Sequence, residues 1–352
     1  MVYLIHVTLY GNAYGVFGPV SRLGTSAGVD LFFVISGFVV TLSLEKLLPA
    51  RSDLALTGHA GEGTRAAMRY FYLRRFFRLA PVALVAISLH LLGAIFGPLE
   101  APTTPFLDLH EWGIETLAVA SGLYNYFAQR IDHPAMVFFW SLSVEEQFYL
   151  LLPILFLFAT TRRARTVAAA AVVLLIAGFI HPCFSPDTFN VAHCSSQFRF
   201  DALAAGVVVG LARKQVATVV LYLHPIVRKV VVFLSLVMLI FVSRYTYVFF
   251  ALHGGLTLIW AASACLVACA MADGNAVLNF PVVNRLLEYV GSRSYAIYVI
   301  HTAFLMADQT YAMGGSGHFA QLYASRAGQT IRFLVVSALV LAAAELAHRY
   351  VE

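Results

Sequence analysis

Long apolar blocks, separated by polar stretches that carry the Gly and Pro residues, set the pattern of this chain. Ten blocks read as bilayer spans, at about 1–18, 28–45, 76–97, 139–160, 166–181, 200–213, 228–243, 248–272, 294–310 and 331–348. A helix needs about 20 predominantly apolar residues to cross, and backbone in lipid must bond to itself. The pattern therefore predicts an all-α fold, a polytopic transmembrane helical bundle forming one domain over 1–352. A further segment, 112–128, is apolar enough to be an eleventh span. The longest loops, 46–70 and 98–138, are polar.

Composition strengthens this picture. Of 352 residues 60% are hydrophobic and 12% charged, against about 25% charged in an average soluble domain. The net charge of +5 lies in short clusters, which speaks for orientation in a membrane and against a nucleic-acid partner. With ten spans and both termini cytoplasmic, 17 of the 23 Lys and Arg fall inside, as the positive-inside tendency requires. A full crossing at 112–128 would put Arg162, Arg163 and Arg165 outside. That segment is therefore expected to be an interfacial or re-entrant helix on the outer side. The first apolar stretch begins at Met1, with no cleavable leader visible. None of the four cysteines forms a CxxC pair, so no metal site is signalled. Cys183 and Cys194 fall together in an outer loop, where a disulfide and chance placement account for them equally. Cys265 and Cys269 read as small packing residues.

Several ionisable groups stand out against the apolar background, where each costs about 2.5–3.5 kcal/mol to insert. Ser141, Glu145 and Tyr149 follow at i, i+4 and i+8, a polar stripe on one helix face. Glu145 and Glu146 read equally as anchors at the water boundary. His6, in the first span, is either a packing residue or a proton-transfer group. Asp30 lies near the mouth of the second span, ahead of Ser36 and Gly37, small residues that permit close helix approach. Arg74, Arg75 and Arg78 cluster on one side of a helix. They serve either as a basic anchor or as a clamp for donor phosphates such as those of coenzyme A. Asp201 opens another span, where the helix dipole alone would favour it. It is two residues from Arg199 and so on a different helix face. Ser294, Tyr298 and His301 form a second polar stripe.

Six motifs occur in order: a His in the first span, G-V-D-L-F-F-V-I-S-G-F, R-R-F-x-R followed by Pro, W-S-L-S-V-E-x-Q-F-Y, R-F-D-A-L-A-A-G, and G-x-x-S-Y-x-I-Y-x-x-H. Together they resemble the acyltransferase 3 family, membrane O-acyltransferases of bacterial cell-surface glycans, from about His6 to Glu352. The resemblance implies transfer of an acyl group, usually acetyl, from cytoplasmic acyl-CoA to a glycan or lipid-linked sugar hydroxyl. Acyl-CoA is then a co-substrate, with no bound cofactor. Membrane lipid and the glycan are the partners, and a bacterial inner membrane is the location. His6 matches the family's catalytic His, Arg75 and Arg78 its R-x-x-R pair, and Glu145 its carboxylate in the W-S-L motif. Family members carry an Arg upstream of that His and a Pro after the C-terminal Glu. Here five residues precede His6 and the chain stops at Glu352, which reads as clipping at both ends.

The expected mechanism makes His6 the base for the acceptor hydroxyl, oriented by Glu145 or Asp30, with an acyl-histidine intermediate as the variant. Rival readings are a secondary transporter of a sugar or anion, against which stands the lack of an internal repeat, and a non-catalytic membrane scaffold.

Overall fold

The computed structural model describes residues 3, 27–48, 63–96, 109–130, 136–180, 195–244, 255–274, 281–314 and 325–351. His6, nearly all of the expected first span and the Cys183–Cys194 pair lie outside them. Among the described residues there is no strand. The helices are α1 (Gly28–Leu47), α2 (Thr64–Phe96), α3 (Leu109–Ala120), α4 (Tyr124–Phe127), α5 (Phe139–Phe158), α6 (Arg162–Leu175), α7 (Phe200–Leu211), α8 (Arg213–Tyr222), α9 (Pro225–Arg244), α10 (Gly255–Ala272), α11 (Pro281–Ser292), α12 (Ser294–Gly314) and α13 (Arg326–Tyr350).

Six stretches among them are long and apolar enough to cross a membrane: Gly28–Leu47, Thr64–Gly93, Phe139–Phe158, Arg162–Ile180, Gly255–Ala272 and Ala327–Tyr350. A seventh exists if α7 and α8, bent by 80° at their junction, count as one broken span. The structure thus carries six or seven candidate spans among its described residues, where the sequence led us to expect ten. The expected first span lies outside the described residues, and the expected span at 200–213 is too short by itself. That helix stops after 12 residues, about 18 Å at 1.5 Å per residue, well short of a roughly 30 Å hydrocarbon core. The expected spans at 228–243 and 294–310 are the helices α9 and α12, which are not among the six. The segment 112–128 is also too short to cross: α3 has 12 residues and ends in a turn before the four-residue α4. In the other direction, α2 starts at Thr64, so the basic stretch 65–78 is helical, including residues expected to be loop. Its Ala, Met and Arg residues are good helix formers that propagate an existing helix at little cost.

Large apolar side chains point outward along these helices. Phe76 and Phe77 on α2, Phe158 on α5 and Phe233 on α9 are all more than 60% exposed. Exposed apolar surface on this scale marks a partner of the same character, here a bilayer.

The chain forms two compact units. One comprises Met1–Leu23, Arg75–Trp140 and Arg285–Glu352, and the other Gly24–Arg74 and Ser141–Asn284. In the second, α7 lies against α1 with backbone touching backbone. A methyl added at Gly37 would sit 2.0 Å from the Leu203 carbonyl oxygen, and one at Gly206 would sit 2.1 Å from that of Val34. Only glycine allows this approach, the small-residue packing favoured where lipid supplies no hydrophobic drive between helices. Two further contacts give the direction of α5. Its Tyr149 hydroxyl is hydrogen-bonded to Ser36 midway along α1. Buried Arg165 donates to the carbonyls of Leu48 (2.9 Å) at the end of α1 and of Phe156 (3.0 Å) and Ala159 (2.8 Å) at the end of α5. The two helices therefore run parallel and finish together, their orphan C-terminal carbonyls met by one guanidinium. Arg165, expected as a plain cytoplasmic charge, is an internal clamp, and its guanidinium also lies 4.2 Å over the Phe156 ring. Nearby, Glu45 pairs with Arg162 at 2.5 Å and with Arg213. Arg213 also donates to the Gly210 carbonyl at 3.1 Å, at the point where α8 turns away from α7.

In the first unit, α12 and α13 pack through Leu305, Val336 and Val340. They are tied by a two-pronged pair between Arg332 and Asp308 (3.0 and 2.5 Å). Glu345 of α13 accepts from Tyr289 and Arg293, which lie at the end of α11 and just beyond it.

Candidate functional site

Each unit has its own centre of buried chemistry. In the second unit, α7 is preceded by a short 3-10 turn, Ser196–Phe198. This turn places Arg199 just before the helix and Asp201 in its first turn. Arg199 is 1% exposed and donates to Asp30 Oδ1 at 2.7 Å, across to α1. Its guanidinium carbon lies 5.6 Å from the centre of the Phe33 ring. Asp201 is buried as well, and its Oδ1 accepts from the Ala202 amide at 2.8 Å, as a carboxylate at a helix N-terminus can. The guanidinium thus meets a carboxylate brought in by a different helix. A buried carboxylate is tolerable only with such a partner.

The stripe on α5 belongs to the same unit. Ser141, Glu145 and Tyr149 are all buried, and Tyr149 bonds Ser36. Glu145, 1% exposed, is not the surface anchor that the sequence left open. Along parallel helices, levels can be compared from the Ser36–Tyr149 bond. Asp30 lies six residues before Ser36 and Glu145 four before Tyr149, about 9 Å and 6 Å along the axes. The start of α7 stands beside this same part of α5. Ser196 Oγ donates to Gln147 at 2.5 Å, and the rings of Phe148 and Phe200 meet at 5.5 Å. Asp30, Arg199, Asp201 and Glu145 therefore occupy one level of the unit.

The first unit holds an aromatic counterpart. His301 on α12 is fully buried, with its Nδ1 bonded to the Ile297 carbonyl at 3.0 Å. Its ring meets those of Tyr298 (6.1 Å), Phe138 (6.4 Å) and Tyr3 (5.7 Å, edge-on). Tyr298 donates to the Phe138 carbonyl at 3.0 Å, and Tyr295 to the Leu79 carbonyl at 2.7 Å. The expected stripe thus survives in two of its members. Ser294, the third, is exposed at the start of α12. On α2, Arg74 and Arg78 are exposed and Arg75 is half-buried, one turn apart on one helix as their spacing predicts.

Sequence reasoning missed three residues. Arg199 was set aside because it does not share a helix face with Asp201, yet it precedes the helix and reaches α1 instead. Glu115, in the segment expected to be an interfacial or re-entrant helix, is 1% exposed and accepts from the Tyr124 hydroxyl (2.6 Å) and the Met136 amide (2.9 Å). His90 lies buried in α2, and a single His in an apolar block carries no local signal. Among the described residues no group of His, Cys, Asp and Glu is arranged to hold a metal ion.

Comparison with known proteins adds to this geometry. A family's sequence model described as an acyltransferase domain matches residues 1–345. Two Staphylococcus aureus proteins provisionally named O-acetyltransferases, from strains COL and MRSA252, are 24% identical over 352 residues. Those matches cover 94% of this chain and 52% of each relative. The O-acetyltransferase OatA of S. aureus strain NCTC 8325 is also 24% identical, over 83% of this chain and 48% of its own length. The chain thus spans about half the length of these relatives. No solved structure matches it.

Proposed function

The chain belongs to the acyltransferase 3 family, and from that premise we propose that it is a membrane O-acyltransferase moving an acetyl group from acyl-CoA to a hydroxyl of a cell-surface or exported glycan. The observation that carries the reading is the reach of the family match, which extends over 1–345 and so takes in all six motifs. The names of OatA and the other S. aureus relatives support acetyl as the group transferred.

A thioester is already activated, so the protein's task is to raise the nucleophilicity of a sugar hydroxyl and bring the two substrates together. His6 takes the hydroxyl proton, the oxygen attacks the thioester carbonyl, and coenzyme A leaves as a thiolate that takes up a proton. Glu145 orients the imidazole or balances its charge. Arg75 and Arg78, with Arg74 beside them, bind donor phosphates at the cytoplasmic face, with the acceptor arriving from the other side. In this reading both termini are cytoplasmic and the membrane is a bacterial inner membrane.

The test is mass spectrometry of surface glycans from cells with and without the protein. A gain of one acetyl unit per modified sugar is expected. His6→Ala should remove about 10²–10⁴-fold of the rate, the contribution of a positioned base, while acetyl-CoA binding persists. An unmodified glycan profile in cells that make the inserted parent protein would overturn the function. A His6→Ala protein as active as its parent would overturn only the base and shift attention to His301.

A further inference from the structure

The imidazole of His90 has a feature that packing does not explain. It lies in the interior of α2, 2% exposed, in the same unit as His301. Its Nδ1 is 2.9 Å from the Ala86 carbonyl, one turn back on the same helix. A carbonyl can only accept, so Nδ1 carries the proton and Nε2 is left as a bare lone pair. No donor among the described residues reaches that nitrogen. Because Nδ1 faces the helix backbone, Nε2 is turned away from it. Burying such an acceptor without a partner costs about 1–3 kcal/mol, and native structures keep few such groups without a reason.

The surroundings of that nitrogen's ring are aromatic. The His90 ring stacks on Phe138 at 5.6 Å with 30° between planes. Phe138 in turn meets Phe139 (4.5 Å), Tyr298 (6.4 Å) and His301 (6.4 Å). His301 is tied through Nδ1 to its own helix in the same way. Two imidazoles fixed in one tautomer thus flank one aromatic ring. Sites of this kind, aromatic walls with a few fixed polar atoms, hold small molecules in a set orientation.

We propose that His90 is a substrate-binding residue whose Nε2 accepts a hydrogen bond from a hydroxyl or amide N–H of a substrate seated against Phe138. The inference rests on the acyltransferase reading. Two sources carry such a donor there, the sugar hydroxyls of the acceptor and the amides of the pantetheine arm of acyl-CoA.

The experiment uses the full chain with two readouts, acetyl-CoA affinity in nanodiscs and acetyl gain on surface glycans in cells. His90→Phe keeps the ring and removes the orphan nitrogen, so thermal stability should hold or rise. His90→Asn keeps an N–H for Ala86 and loses the Nε2 acceptor. A fall of about ten-fold in acetyl-CoA affinity, the worth of one hydrogen bond, identifies the pantetheine arm. A similar fall in acetyl gain with donor affinity unchanged identifies the acceptor. In both cases His90→Gln, whose amide reaches the Nε2 position, should recover part of the loss. If His90→Phe does not fold, His90→Asn decides alone. Parent-like values on both readouts in the folded variants overturn the proposal. A parent that neither binds acetyl-CoA nor acylates instead removes the enzyme reading on which it stands.

Discussion

The two buried centres solve the same problem in different ways. At Asp30, Arg199 and Asp201 the second unit buries formal charge, and it does so by importing a guanidinium across 169 residues of sequence to meet a carboxylate at 2.7 Å. At His90, Phe138 and His301 the first unit buries aromatic rings, each imidazole bonded through Nδ1 to a carbonyl one turn back on its own helix. The charged centre depends on several helices holding their places, and it sits where α1 and α7 touch through glycine. The aromatic centre is assembled from rings whose Nδ1 atoms are held locally. A carboxylate–guanidinium lattice is suited to rigidity. Imidazoles within an aromatic wall are suited to exchanging hydrogen bonds with something that comes and goes.

The largest effect should come from breaking the charged centre on one side only. Arg199→Met leaves Asp30 buried without its partner and should cost about 3–5 kcal/mol, read as a large drop in unfolding temperature of the detergent-solubilised chain. Adding Asp30→Leu should return part of that loss, because Asp30 is then no longer a stranded charge, while buried Asp201 keeps its bond to the Ala202 amide. A double variant as unstable as Arg199→Met would mean that the pair acts through packing.

A smaller effect tests the backbone approach beside that centre. Gly206→Ala forces a methyl against the Val34 carbonyl and should cost about 1–3 kcal/mol, as overpacking does. Gly291→Ala, where a methyl meets nothing within 4 Å, is the control. Equal unfolding temperatures in the two variants would remove close helix contact as the reason for glycine.

The smallest effect sharpens the contrast from the other side. His301→Phe gives up the Nδ1 bond to the Ile297 carbonyl and keeps an aromatic ring of similar size. Its stability cost should stay under about 1.5 kcal/mol, typical of a volume-conserving change. An unfolding penalty as large as that of Arg199→Met would make the aromatic centre as structural as the charged one.

What the sequence by itself determined is what depends on neighbours along the chain. Helical apolar blocks are legible because the length of an apolar run and the absence of turn residues are local properties. The small-residue face at Ser36 and Gly37 and the shared face of Tyr298 and His301 follow from the 3.6-residue period. The family motifs are likewise short strings. Tertiary structure decided which of these features are covered and by what. A stripe says that Ser294, Tyr298 and His301 share a face, yet only the packing of the neighbouring helices leaves Ser294 exposed and buries His301. Arg165 counted as a charge for the cytoplasm until the ends of α1 and α5 met around it. The partnership of Arg199 with Asp30 has no local signature, because burial is a property of surfaces brought together from distant parts of the chain. The same reason hid His90. Its sequence context is that of any apolar helix, and its lone pair becomes notable only once the surrounding rings close over it.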